Sequence, residues 1–181
     1  KVVGIRRGIE DAIDTKKSST SIVESVSAED IGKLPDVSIA ESISRLPGLS
    51  AQRVAGRAQV ISVRGLSPDF ATTLLNGREM VSTGDNRSVE FDQYPSELMA
   101  GVTVYKTPDA GLVGQGLSGT IDMHTVRPLD FAEGVFVLSG RLTHNSLGSA
   151  ANADADGNRF NASWITQSSD RTIGFAIGYS H

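Results

Sequence analysis

The sequence predicts an α+β fold in two parts: a small mixed α/β module through about residue 130, then antiparallel strands. Three observations carry this. Two segments between Ser27 and Gly48 have helix start and stop signals, and from Leu49 the apolar period changes to two. After residue 134, three successive segments alternate an apolar residue with a polar or very small one.

Taken in order, the start "KVVGIRRGIEDAIDTKKSST" is short of apolar residues, so it reads as an extended lead-in with at most a helical turn around Ile9 to Ile13. Ile22 to Val26 reads as a short strand. Ser27 followed by Asp30 has the spacing of a capping box, so a helix is expected there, ended by Pro35. Pro35 and Asp36 open a second helix, with Val37, Ala40, Ile43 and Leu46 on one face, and Pro47-Gly48 closes it. "QVISVRGL" is a strand centred on Val60 and Ile61. "TTLLNGREMV" is a hairpin, because Asn76-Gly77 supplies the positive φ of a type I′ turn. "STGDNRS" is a polar loop. "PSELMAGVTVYKTP" is a helical turn and then a strand, Val102 to Lys106, and "GTIDMHTVRP" is a strand stopped by Pro128.

Beyond that point the faces separate. Phe136, Leu138, Leu142 and His144 oppose Ser139, Arg141, Thr143 and Asn145. Phe160, Ala162 and Trp164 oppose Arg159, Asn161, Ser163 and Gln167, while Ile173, Phe175, Ile177 and Tyr179 oppose Gly174, Ala176, Gly178 and Ser180. The connection 148–157 is long and polar, and 168–170 is tight. Long loop then short turn is the asymmetry of outer-membrane barrels; an ordinary antiparallel sheet has the same alternation.

Composition narrows the function. The 181 residues carry a formal charge of −4 and the pI is near 5.3, which argues against a nucleic-acid binder. There is no Cys, so disulfides and thiolate chemistry are absent. No apolar run has the length of a transmembrane helix.

Two motifs imitate ligand sites. Gly114-Gln115-Gly116-Leu117-Ser118-Gly119 spells G-x-G-x-x-G, but a dinucleotide site needs a helix to start there and a carboxylate about 20 residues on. A β-rich run stands there instead, so these glycines are expected to allow a tight backbone course before a strand. "NADADGNRFNAS" imitates a calcium loop, but its twelfth position is Ser163 where a bidentate Glu is required. His124, His144 and His181 lie on separate strands and fit no metal spacing. No nucleophile motif accompanies them, so an enzyme is not expected.

The phrases "SAEDIGKLPDVSIAESISRLPGLS", "VISVRGL", "TTLLNGREM", "PSELMAGVTVYKTPDA" and "GLSGTIDMHTVRPLD", in this order, resemble the TonB-dependent receptors of Gram-negative outer membranes. The resemblance implies a lead-in near the TonB box at 1–20, a plug domain at 21–130, and at 131–181 the first three strands of a 22-stranded transmembrane β-barrel around the plug. His181 ends on a strand and three strands cannot close, so the chain is expected to be a piece of a longer protein.

The resemblance further implies energy-coupled uptake of a scarce solute, with TonB and its inner-membrane energising complex as partner, outer-membrane lipid around the barrel, and no cofactor. TonB adds a strand to an extended box before the plug, which places Val2 and Val3 as contacts although the acidic and β-branched residues expected before them are missing. Arg64 matches an arginine that faces ligand in some siderophore receptors; a buried ion pair to the barrel wall is its alternative role. Two plug apices, 66–71 and 81–87, make Ser67, Asp69, Phe70, Ser82, Asp85, Asn86 and Arg87 candidate ligand contacts. Glu97 and Lys106 are expected to pair with barrel groups or each other. Siderophore, haem, cobalamin, saccharide and peptide importers share these phrases, and no residue pattern here selects among them. The competing reading is a soluble periplasmic or secretion-channel module that binds protein.

Overall fold

The computed structural model describes residues 4–27, 38–54, 57–94, 96–112, 116–144, 146, 148–149 and 154–181. The chain divides into two compact units, Lys1–Thr125 and Val126–His181.

The first unit opens on a helix, α1 (Gly4–Ser18), which corrects the expected extended lead-in. Its sequence lacks Pro and ends in Lys16 and Lys17, which complement the negative end of the helix dipole. The hydroxyls of Thr15 and Ser18 donate to the carbonyls of Asp11 and Asp14, both at 2.8 Å. Ile9 and Ile13 of this helix stay half exposed.

Strand β1 (Val23–Ser27) comes next, one residue from its expected place. The helix expected from Ser27 to Pro35 lies outside the described residues. Helix α2 spans Ile39–Ile43 and ends at Ser44, short of the expected Leu46; residues 35–37 of the expected helix lie outside the described residues. Its N-cap is Ser38, whose hydroxyl accepts from the Glu41 N–H, while the Glu41 carboxylate pairs with Arg53 at 3.1 Å.

Strands β2 (Leu49–Val54) and β3 (Arg57–Val63) pair antiparallel as a two-stranded sheet. Strands β4 (Ala71–Leu75), β5 (Arg78–Glu79), β6 (Met99–Tyr105) and β7 (Gly119–Thr125) join β1 in a five-stranded sheet of order β1-β6-β7-β4-β5. All neighbours are antiparallel except β4 and β7, which run parallel. The hairpin turn is as expected: Asn76 and Gly77 have φ of 52° and 76°. The Asn76 side chain also carries the β4–β7 ladder onward, exchanging hydrogen bonds with Thr125.

Pairing in register gives this sheet two unlike faces. One carries Val26, Val102, Val104, Ile121 and Met123 and packs with Ile39, Ile43, Ile61, Val63 and Phe91 into the core. The other carries Ser25, Thr103, Thr120 and Asp122. Asp122 accepts from the Gly77 N–H at 3.1 Å, which satisfies a buried carboxylate from the hairpin turn.

The second unit is a three-stranded antiparallel sheet, β8 (Val135–His144), β9 (Asp156–Gln167) and β10 (Gly174–Ser180), with β9 central. Directly opposed residues share a face, so Phe136, Trp164 and Ile177 line up across it, as do Leu138, Ala162 and Tyr179. Phe136, Trp164 and Phe175 are 68%, 48% and 50% exposed, whereas Asn161 on the reverse face is 8% exposed. There Asn161 bridges the neighbouring strands, donating to Ser139 at 3.2 Å and accepting from Ser180 at 2.8 Å. The face of Phe136, Trp164 and Phe175 is thus exposed, while Asn161 and Ser163 on the reverse face are buried.

The β9–β10 turn is tight: Ser168 N–H donates to the Ile173 carbonyl at 2.8 Å, and Arg171 has φ of 54°. Gln167 and Arg171 both donate to carbonyls of the segment just before β8, at Phe131 and Ala132, so this turn and the start of β8 share one end of the sheet.

Candidate functional site

The sheet topology gathers the candidate residues at one end. Strands β4 and β7 are parallel with Ala71 opposite Gly119, and β5 runs back along β4. Residues before β4, before β7 and after β5 therefore emerge together. The Ser118 N–H donates to the Phe70 carbonyl at 3.0 Å, and the Met80 N–H donates to Thr73 at 2.9 Å.

The first apex is a bend and then a 3-10 turn at Pro68–Phe70. Arg64 enters it in the left-handed region, φ 56°, with its N–H held by the Gly48 carbonyl at 2.8 Å. Its side chain is exposed, as are Ser67, Asp69 and Phe70. Pro68 is buried and pre-sets the turn, which leaves Phe70 47% exposed beside it.

The second apex is organised by a residue outside the candidate set, Glu90. Its carboxylate accepts from the Ser82 hydroxyl at 2.8 Å and from the Thr83 N–H at 3.3 Å. Burial works against its ionisation, but these two donors outweigh it and hold the carboxyl below the usual carboxylate range. Ser82 Oγ also lies 2.9 Å from Asn86 Oδ1; a hydroxyl has one proton, already given to Glu90, so the Asn86 amide is best turned to donate. Asp85 and Arg87 are exposed on the bend.

One bond ties the apices together. Asp69 Oδ1 accepts from the Arg87 N–H at 3.2 Å. Between the start of β4 and the second apex lies a depression of 140 Å³, walled by Thr73, Glu79, Val81, Ser82, Asn86 and Arg87 among others.

The glycine motif belongs here too, and it leads into strand β7 rather than into a helix. A Cβ on Gly116 would lie 2.4 Å from Thr72 N and 2.7 Å from the Phe70 carbonyl, so the chain crosses flush against the first apex. Gly119 has φ of 151° and a Cβ there would meet the Tyr105 carbonyl at 2.7 Å. Gly114 and Gln115 lie outside the described residues. Leu117, 80% exposed, is a residue of this surface that the sequence did not suggest, because only the β4–β7 pairing brings it beside Phe70.

Other expectations resolve elsewhere. Lys106 pairs with Glu24 at 3.1 Å, and Lys16 of α1 takes the other Glu24 oxygen at 2.8 Å. Burial opposes the Glu24 charge, yet hydrogen bonds from Lys16 and Lys106 leave its carboxyl below the ordinary value. Val2 and Val3 lie outside the described residues, as does the Glu97 side chain. Asp156 of the calcium-like loop is engaged by His144 Nδ1 at 2.6 Å. Among the described residues no group of three or more acidic or His side chains could hold a metal.

The sequence model of the TonB-dependent Receptor Plug Domain matches residues 15–121, more than half of the chain. This chain belongs to that family.

Solved structures agree with the plug fold continuing into the first barrel strands. A double mutant of the hemophore receptor HasR of Serratia marcescens, in complex with its hemophore HasA and heme, aligns with a TM-score of 0.65 at 19% identity over 92% of this chain. The outer membrane transporter YddB from Escherichia coli gives 0.62 at 18% over 87%, and the alcaligin outer-membrane receptor FauA from Bordetella pertussis 0.59 at 16% over 90%. The plug-family chain spans 25%, 26% and 27% of HasR, YddB and FauA. At such identities the likeness is one of fold.

Proposed function

We propose that this chain is the plug, residues 21–130, and the first barrel strands, 131–181, of a TonB-dependent outer-membrane transporter that takes up a scarce solute at the cost of energy delivered through TonB. The observation that carries it is the two-faced sheet β8–β10 after a plug-family domain: Phe136, Trp164 and Phe175 exposed, and Asn161 covered and bonded across three strands. A sheet that ends in a soluble module hides its apolar face; a barrel stave shows it to lipid.

In this reading β8 rises from the periplasmic rim. The tight Ser168–Ile173 turn is then periplasmic and the 145–155 connection extracellular. The sheet end that carries Arg64, Ser67, Asp69, Phe70, Ser82, Asp85, Asn86 and Arg87 faces outward and meets the solute. The chain before α1, with Val2 and Val3, offers TonB its edge, and α1 joins that edge to the plug through Lys16 and Glu24.

The experiment is uptake and fractionation of the full-length receptor. It should sediment with the outer membrane, and uptake of its solute should stop in cells lacking TonB or treated with a protonophore. Recovery as a compact monomer without detergent would overturn the reading.

A further inference from the structure

The apices are rich in hydrogen-bond acceptors and poor in positive charge. Within 64–70 and 79–90 the cations are Arg64 and Arg87, against the carboxylates Asp69, Glu79, Asp85 and Glu90. Of the apical N–H groups, that of Arg87 is already given to Asp69 and that of Thr83 to Glu90. A ferric tris-catecholate, a ferric hydroxamate or haem presents oxygen acceptors, in the first and last case with negative charge. Set against four carboxylates and two cations, a negatively charged ligand meets a net excess of like charge, which costs affinity.

The depression has the opposite preference. Its 140 Å³ is below the roughly 300–1,000 Å³ of a site that engulfs a drug-sized ligand, so it accepts one ring of a larger solute. Its wall includes residues that carry a carboxylate (Glu79), a guanidinium (Arg87) and an amide (Asn86). Such a set both donates and accepts, which matches groups that do the same, namely sugar hydroxyls. Phe70 stands exposed one residue from the wall at Ala71, and Leu117 stands exposed beside it. They offer apolar surface to the C–H face of a pyranose.

We propose that the solute class of this receptor is a neutral oligosaccharide, one ring of which enters the depression between Thr73, Glu79 and Asn86 while Phe70 covers a ring face. This rests on reading the apices as the ligand face of a transporter. The test is titration calorimetry on the full-length receptor in detergent, with neutral trisaccharides (maltotriose, cellotriose, xylotriose), a ferric tris-catecholate, a ferric tris-hydroxamate and haem as probes. At least one trisaccharide should bind, and Asn86→Ala, Glu79→Gln and Phe70→Leu should each weaken it about tenfold, with outer-membrane abundance unchanged. Preference for a ferric chelate or haem, binding of no saccharide, or unchanged affinity in all three variants would overturn the proposal. Uptake measured in parallel separates the two readings. TonB-dependent uptake of a ferric chelate sinks the saccharide and leaves the transporter, whereas saccharide binding without TonB-dependent uptake does the reverse.

Discussion

Asp69 and Arg87, eighteen residues apart, meet through a carboxylate oxygen and a backbone N–H at 3.2 Å. This bond joins the two apices, and both partners are exposed, so it contributes order to the loops more than stability to the fold. Asp69→Ala should leave global stability within about 1 kcal/mol and speed hydrogen exchange of the Arg87 amide about tenfold. Unchanged exchange across 81–88 would show that Glu90 alone holds the second apex.

Glu24 sits between two lysines, with its side chain 11% exposed and that of Lys106 12% exposed, while Lys16 is 47% exposed. Losing Glu24 strands a buried ammonium, whereas losing Lys16 removes a partly solvated partner. Glu24→Ala should therefore destabilise the β1–β6 edge by about 2 kcal/mol and Lys16→Ala by less than about 1 kcal/mol. Hydrogen exchange at the paired amides of β1 and β6 measures both.

The same carboxyl predicts a pH dependence. Its folded value is depressed below the unfolded 4.5, so its stabilisation is present above 4.5 and is lost as pH falls through the lower folded value. Protection of β1 should fall below pH 4.5 in the natural protein and change less in Glu24→Gln. An equally steep acid limb in that variant would place the titration elsewhere.

Gly116 and Gly65 separate two uses of glycine. At Gly116 a Cβ would press on backbone atoms at 2.4–2.7 Å, which cannot rotate away, whereas at Gly65, φ 74°, nothing lies within 4 Å. Gly116→Ala should prevent the loop from closing on Phe70 and sharply lower the amount of folded receptor. Gly65→Ala should cost only about 1–2 kcal/mol of left-handed strain. Comparable thermal stability of the two variants would contradict this.

On the barrel strands, Trp164 faces outward between Phe136 and Ile177 and packs edge-on against Phe175, ring centres 5.8 Å apart. Trp164→Arg places a charge in the apolar band and should cost about 2–4 kcal/mol, lowering assembly into the outer membrane. Asn161→Ala removes both inter-strand side-chain bonds and should cost about 1 kcal/mol each, with insertion retained. Heat-modifiable mobility on gels reads assembly in both cases.

Local physics decided much of this in advance. Asn76-Gly77 demands a type I′ turn whatever surrounds it, because few other pairs accept positive φ twice. The alternation in β8, β9 and β10 specifies which residues share a face, because the side-chain period of a strand is two. Where the signal was tertiary, it was hidden. Helix α1 leaves Ile9 and Ile13 half exposed amid a strongly charged segment, and the partner of Lys106 lies 82 residues away in sequence. Likewise Leu117 joins Phe70 only because β4 and β7 pair in parallel, and Glu90 reaches Ser82 only because the loop folds back. By itself, then, the sequence determined most of the strands, though not β2, together with the Asn76-Gly77 turn and the faces of β8 to β10, since each depends on neighbours along the chain. Which loops form one surface, and with what balance of donors and acceptors, was decided only by the order of strands in the sheet, a relation between residues that no local spacing encodes.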